Sequence, residues 1–255
     1  MVFVFDLDGT ICFKGQPVSE QIANQLDALK EAGHEVIFAS ARPIRDMLPV
    51  LPQRFHAFPL VGGNGSLLAN HGNIVFRQAF ADEQIKTILS IIKNHHATYL
   101  IDGDWDYAYT GPKDHPILQN VDPAKLATCM PVEALQTVVK ILLLTVDSTE
   151  DVVKQLRELD VVIHQHRHEH VIDISPKGVH KWQALQMHGV REGEFIAFGN
   201  DANDLTMFQN AKHAVMVGHH DDVAPFANKI MPMDTDVEEN IVNELNELAR
   251  SHTLI

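Results

Sequence analysis

MVFVFDLDGT, residues 1–10, opens the chain with a short apolar run and two aspartates. Val2 to Phe5 is β-branched and aromatic, the composition of a buried strand. Gly9 breaks the run. Asp6 and Asp8 therefore stand at the carboxyl end of a strand, the edge at which open α/β sheets bind ligands. Side chains two apart on extended backbone share a face, so both carboxylates can aim at one point. Like charges held close call for a cation or a proton. Hard oxygen ligands suit Mg²⁺ and phosphate chemistry, and a carboxylate can itself attack phosphorus. The same D-x-D can also be a turn or a helix N-cap. The rest of the chain has to choose between these readings.

Composition narrows the choice. At 255 residues the chain can build a sizeable core and two domains. Apolar residues are 45% and charged residues 21%, as in ordinary globular proteins. A net charge of −14 argues against nucleic acid as a partner, because a phosphate backbone needs Lys and Arg neighbours. It leaves room for a small anionic substrate beside a bound cation. Cys12 and Cys129 form no close-spaced motif, so neither a disulfide framework nor a cysteine metal site is expected, and free thiols fit a reducing cytosol. The first residues lack the basic region of a signal peptide, and no apolar run is long enough to span a membrane. A cytoplasmic protein, monomer or homodimer, is expected.

Strand and helix signals alternate from the start. Ser19 can cap a helix reaching about Ala32, with Ile22, Leu26 and Leu29 on one face. His34 to Ala39 reads as a second parallel strand, Ile44 to Leu51 as a helix, and Phe58 to Val61 as a third strand. Gly62 to Gly65 is a turn, and Leu67 to Phe76 a hairpin. From about Phe80 the rhythm changes to short antiparallel-looking strands with helices at Asp82–Asn94, Asp122–Cys129 and up to Leu159. After Pro176 the α/β alternation resumes, with helices at Lys177–His188, Leu205–Asn210, Val223–Asn228 and Val237–Arg250. The simplest architecture is a doubly wound, Rossmann-like α/β core made of residues 1–79 and 176–255, with an α+β cap inserted at 80–175.

Three further stretches can carry chemistry. Ser40, in FASARP, ends the second strand, and its hydroxyl can donate to a phosphoryl oxygen, with Arg42 as a charged donor. It can equally be a cap before Pro43. Lys177, in DISPKGVHK, opens a predicted helix, where the macrodipole disfavours a cation unless an anion faces it. It can also be a solvated lysine, and Lys181 stands one turn later. FGNDANDLTMF, residues 198–208, packs Asn200, Asp201, Asn203 and Asp204 into a loop at a strand end, an oxygen set for Mg²⁺ or a capped turn. His164, His166, His168 and His170 alternate and could line one strand face toward a metal. The chain holds 16 histidines, and a solvated face is the simpler reading. Trp105, Tyr107 and Tyr109 read as cap packing.

D-L-D-G-T, then Ser, then Lys, then G-N-D-x-N-D, in that order along the whole chain, resembles the haloacid dehalogenase-like (HAD) superfamily. VGGNGSLL, SPKGVHK and the position of the insertion resemble its Cof-type phosphatases with a type IIB cap. The resemblance implies an Mg²⁺-dependent phosphatase acting on small phosphorylated metabolites such as sugar phosphates. It implies Asp6 as nucleophile and Mg²⁺ ligand, and Asp8 as general acid and base with its carbonyl on the metal. Ser40 would bind the phosphoryl group and Lys177 would balance charge beside Asp6. Asn200, Asp201 and Asp204 are the further metal candidates, and Thr10, Arg42, Asn64 and Asn203 the candidates for substrate contact. Where the family commonly has aspartate after the glycine, this chain has Asn200, which lowers the ligand charge by one and is expected to weaken Mg²⁺ binding. A phosphomutase, or a non-catalytic metabolite-binding protein, would use the same scaffold.

Overall fold

The protein is described from a computed structural model covering residues 1–166 and 171–251. Of the alternating histidines, His168 and His170 lie outside the described residues.

Among the described residues the strands form one sheet of eight and one of five. The first contains β1 (Val2–Phe5), β2 (Glu35–Ala39), β3 (Leu60–Gly62), β4 (Leu67–Asn70) and β5 (Asn73–Arg77). The chain then leaves it for the second sheet: β6 (Thr98–Asp102), β7 (Tyr107–Tyr109), β8 (Lys140–Thr145), β9 (Val161–His166) and β10 (Val171–Pro176). It returns with β11 (Phe195–Gly199), β12 (His213–Val217) and β13 (Lys229–Met231). The helices are α1 (Glu20–Glu31), α2 (Ile44–Met47), α3 (Asp82–Asn94), α4 (Thr149–Leu156), α5 (Lys181–His188), α6 (Leu205–Asn210) and α7 (Val237–Ser251).

The order of the large sheet is β13-β12-β11-β1-β2-β3-β4-β5, parallel up to β3 and antiparallel in the hairpin beyond. The central strand is apolar on both faces because both are covered. Phe3 and Phe5 join Ile22 and Leu26 of α1 and Ile241 and Leu245 of α7 on one side. Val4 joins Trp182 and Leu185 of α5 and Met207 and Phe208 of α6 on the other. The winding reverses between β1 and β11, which are neighbours. The carboxyl ends of β1, β2 and β11 therefore meet at the switch point, where such sheets open a crevice.

The small sheet is antiparallel, in the order β7-β6-β8-β10-β9. Its alternation separates two faces. Ile101, Ile141, Leu143, Ile172 and Ile174 pack under α3 and α4. Leu100, Leu142 and Val171 belong to the opposite apolar cluster, and Asp102, Lys140 and Asp173 share their strand parity. Those three charged residues bind the large-sheet side. Arg45 of α2 is 1% exposed. It donates to the Asp102 carboxylate and to the Trp105 carbonyl, and lies over the Tyr107 ring. Lys140 donates to the Ala41 carbonyl at 2.8 Å and pairs with Asp173 at 3.0 Å. Asn64 donates to Asp173 at 3.1 Å.

Away from the α5 start, three elements differ from the sequence expectation. Asp122–Cys129 is not helical: Asp122 and Lys125 have φ of +46° and +53°, and the Asp122 carboxylate accepts the Leu126 and Ala127 amides that a helix would use. Ile44–Leu51 is one α-helical turn followed by a 3₁₀ turn, since Pro49 supplies no amide to continue it. Val223–Asn228 is only a 3₁₀ turn at Ala224–Phe226, and β13 follows it as an edge strand.

The inter-sheet tie is pH-sensitive. Burial, partly offset by Arg45, pushes the Asp46 carboxyl up to about 6 from 3.8. Below the lower value Asp46 is protonated in both folded and unfolded chains. As pH rises through this window the unfolded chain ionises first, so stability from this group is lost by about pH 6. Asp46→Asn, whose amide oxygen can still accept the Asp122 N–H, should flatten the pH dependence of the urea midpoint between pH 4 and pH 6.5 on the order expected for one group.

Candidate active site

Asp6 follows β1 directly, and its amide donates to the Phe198 carbonyl at 2.9 Å, tying the first aspartate to the end of β11. The turn that follows is closed on Leu7, whose carbonyl accepts the Thr10, Ile11 and Cys12 amides. Gly9 adopts φ +78°, and the Asn200 side chain lies where a Cβ would be. The positive φ favours glycine here, and a side chain at this position would also displace Asn200. Asp6, Asp8, Ser40, Arg42, Asn200, Asp201 and Asn203 line one cavity of about 350 Å³.

At its floor lies a buried triad. Lys181 is fully buried and its Nζ donates to Asp6 Oδ1 and to Asp204 Oδ1, each at 2.6 Å. Thr10 donates to the other Asp6 oxygen at 2.9 Å. Burial disfavours the charged form of Lys181, but Asp204 and Asp6 outweigh it and hold the ammonium above its ordinary range. Burial pushes Asp6 in the unfavourable direction, upward; Lys181 opposes this, and Asp204 and Asp8 add to it. Two buried carboxylates share one ammonium, so the floor is short of positive charge.

The expected lysine is not the one found there. Lys177 lies in a turn, is 73% exposed along its side chain, and pairs with Asp160 at 2.6 Å. The helix begins four residues later than expected. Pro176-Lys177-Gly178 turns, with Gly178 at φ +69°, and His180 caps α5 by accepting the Gln183 amide on Nδ1. Lys181 is then the first helical residue. The P-K-G turn signal was legible in the sequence and places the helix start beyond it. Gly65, at φ +110°, packs against the His180 carbonyl, so the third-strand turn also seats this helix end.

Other expected residues have other tasks. Asp204 does not line the cavity: besides Lys181 it accepts the Asn200 and Asp201 amides, at 2.8 and 3.1 Å, and so shapes the loop rather than offering oxygens to a metal. Thr10 is fully buried on Asp6, out of a substrate's reach. Asn64 is also buried, bridging Asn203 at 3.2 Å and Asp173 at 3.1 Å, and serves the contact between the sheets. Ser40 faces the cavity while its hydroxyl accepts the Arg42 amide at 3.1 Å. Arg42 grips both oxygens of Asp8 at 2.7 Å, and Asp8 is half exposed.

The donors around the cavity fit a hard divalent ion. Asp6, Asp8, Asn200 and Asp201 line the cavity with carboxylate and amide oxygens, beside a floor where two carboxylates share one ammonium. Among the described residues no three His, Cys, Asp or Glu side chains cluster to hold a metal by themselves. The Asn200 amide and a backbone carbonyl would have to complete the shell.

The family model of haloacid dehalogenase-like hydrolases matches residues 3–242. The chain belongs to this family. Over 262 residues it is 24% identical to the 5-amino-6-(5-phospho-D-ribitylamino)uracil phosphatase YitU of Bacillus subtilis, covering 96% of each chain. It is 22% identical over 218 residues to the phosphatase YbjI of Escherichia coli, covering 81% of this chain and 80% of that one. Its fold is similar to that of the HAD subclass IIB sugar phosphatase BT4131, with a TM-score of 0.78 at 17% identity, covering 97% and 98% of the two chains. TM0651 of Thermotoga maritima gives a TM-score of 0.79 at 21% identity, covering 96% of each chain. The chain is an HAD-like phosphatase of the Cof type with an α/β fold. No helix among the described residues is long and apolar enough to cross a membrane.

Removing the buried ammonium should separate the two lysines. Lys181→Met leaves Asp6 and Asp204 uncompensated and should cost about 3–5 kcal/mol in urea unfolding, with phosphate release lost. Lys177→Ala should change neither measurement.

Proposed function

We propose that this enzyme hydrolyses small phosphomonoesters in the cytoplasm through an aspartyl-phosphate on Asp6, with Mg²⁺ as cofactor. The buried Asp6–Lys181–Asp204 triad at the floor of a cavity rimmed by Asp8, Ser40 and Asn200 is the observation that carries this reading.

Asp6 is held by Thr10 and Lys181, so its orientation is set before substrate arrives, as nucleophilic attack requires. Asp8, two residues on and half exposed, can pass a proton to the leaving oxygen and later take one from water. Arg42 holds Asp8 and stands over the same cavity, where its guanidinium can also meet phosphoryl oxygens. Ser40 is placed to donate to the transferring group. Lys181 balances the charge on Asp6 as it builds and leaves. Mg²⁺, held by Asp6, Asn200 and the Asp8 carbonyl with Asp201 nearby, would supply the charge neutralisation that phosphoryl transfer demands.

The relatives support a metabolite substrate, since the names of YitU and YbjI specify a phosphorylated ribityl compound. The cavity is at the small end of ligand sites, which agrees with a small leaving group.

Phosphate release from an aryl phosphate should require added Mg²⁺ and stop with EDTA. Asp6→Asn should lower turnover by at least about 10³-fold and Asp8→Asn nearly as much, with unfolding curves preserved. Metal-independent release, or activity retained by Asp6→Asn, would defeat the assignment.

A further inference from the structure

The part of the cavity that would receive the leaving group is built by the small sheet, and its charges are already spent. Along β6, β8 and β10, residues of one parity face the large-sheet side: Leu100 with Asp102, Lys140 with Leu142, Val171 with Asp173. Asp102 is bound by Arg45, Lys140 by Ala41 and Asp173, and Asp173 also by Asn64. Arg42, the other cation lining the cavity, is bound to Asp8 through two nitrogens and serves the phosphoryl group in the proposed reaction, not the alcohol. Beside Asn120, the side chains left for a ligand on this wall are the aliphatic Leu100, Leu142 and Val171, with Ile117 and Val121 next to them. Acidic side chains outnumber basic ones around the cavity, with Asp46, Asp102 and Asp173 on the leaving-group side.

A second anionic group on the substrate would meet apolar surface and acids, with no free cation among the described residues that line the cavity. Desolvating a charge there without a partner is costly. An uncharged group with an apolar face would displace water from the aliphatic wall at a gain. We propose that the small-sheet wall selects phosphomonoesters whose alcohol is uncharged and partly apolar, and rejects those that carry a second anion. This rests on the phosphatase reading and deepens it.

The test is a matched pair, 4-carbamoylphenyl phosphate and 4-carboxyphenyl phosphate, nearly equal in shape and differing in one charge. With the wild-type enzyme and Mg²⁺, the amide should have a kcat/KM at least about tenfold higher, carried mainly by KM. In Leu142→Lys, which adds a cation to the wall opposite Asp173, the preference should shrink or reverse; its fold is checked by its unfolding curve. Similar kcat/KM for the two compounds in the wild type, or preference for the carboxylate, would overturn the proposal and leave the phosphatase reading intact. A preference unchanged in folded Leu142→Lys would overturn the role of this wall. Hydrolysis of neither compound, nor of phenyl phosphate, would instead overturn the phosphatase reading and the proposal with it.

Discussion

A single ammonium group, Lys181 Nζ, stands 2.6 Å from one oxygen of Asp6 and 2.6 Å from one of Asp204. It is fully buried, where an uncompensated ion costs several kcal/mol. Each partner therefore depends on the other two. The lysine stays charged because two carboxylates surround it, and the carboxylates stay buried because the lysine is there. The remainder of the site is arranged around this contact. Thr10 fixes the free Asp6 oxygen, and the free Asp204 oxygen orders the loop that presents Asn200 and Asp201. The triad carries more negative than positive charge, which is the electrostatic reason a divalent cation suits the cavity above it.

The second sheet is attached by the same kind of contact. Arg45 and Lys140 are buried cations that cross between the sheets, one in each direction, to Asp102 and to the Ala41 carbonyl. Such pairs specify geometry well and contribute modestly to net stability, because their desolvation offsets much of their attraction. They also divide the labour on the small-sheet face. Charged residues hold the sheet in place, and aliphatic residues of the same parity remain as the wall of the cavity.

Local pattern was enough for most elements. The apolar run before Asp6, the Ser19 cap, the turn at Gly62–Gly65 and the amphipathic spacing of α3 and α7 act over a few residues, so they can be read without partners. Asp6, Asp8, Ser40 and Asn200 were legible for the same reason: each follows a run that reads as a strand, and each lies on the cavity. Lys177 is not the buried lysine because Gly178, with its positive φ, belongs to a turn and delays the helix start to Lys181. For Asp204, composition identifies an oxygen-rich loop without saying which oxygens turn inward toward Lys181.

From sequence alone follow the α/β class, the inserted antiparallel segment and the placement of acids at strand ends, because strand and helix periods are properties of neighbouring residues. Only the folded chain settled which groups meet. β1 lies between β2 and β11, and that order brings Asp6, Ser40 and Asn200 to one crevice from segments as far apart as residues 6 and 200. Whether a lysine is a surface ion pair or the buried counter-charge depends on where its helix starts and what packs against it. Those are long-range facts, fixed by burial and shared charge rather than by the residues on either side.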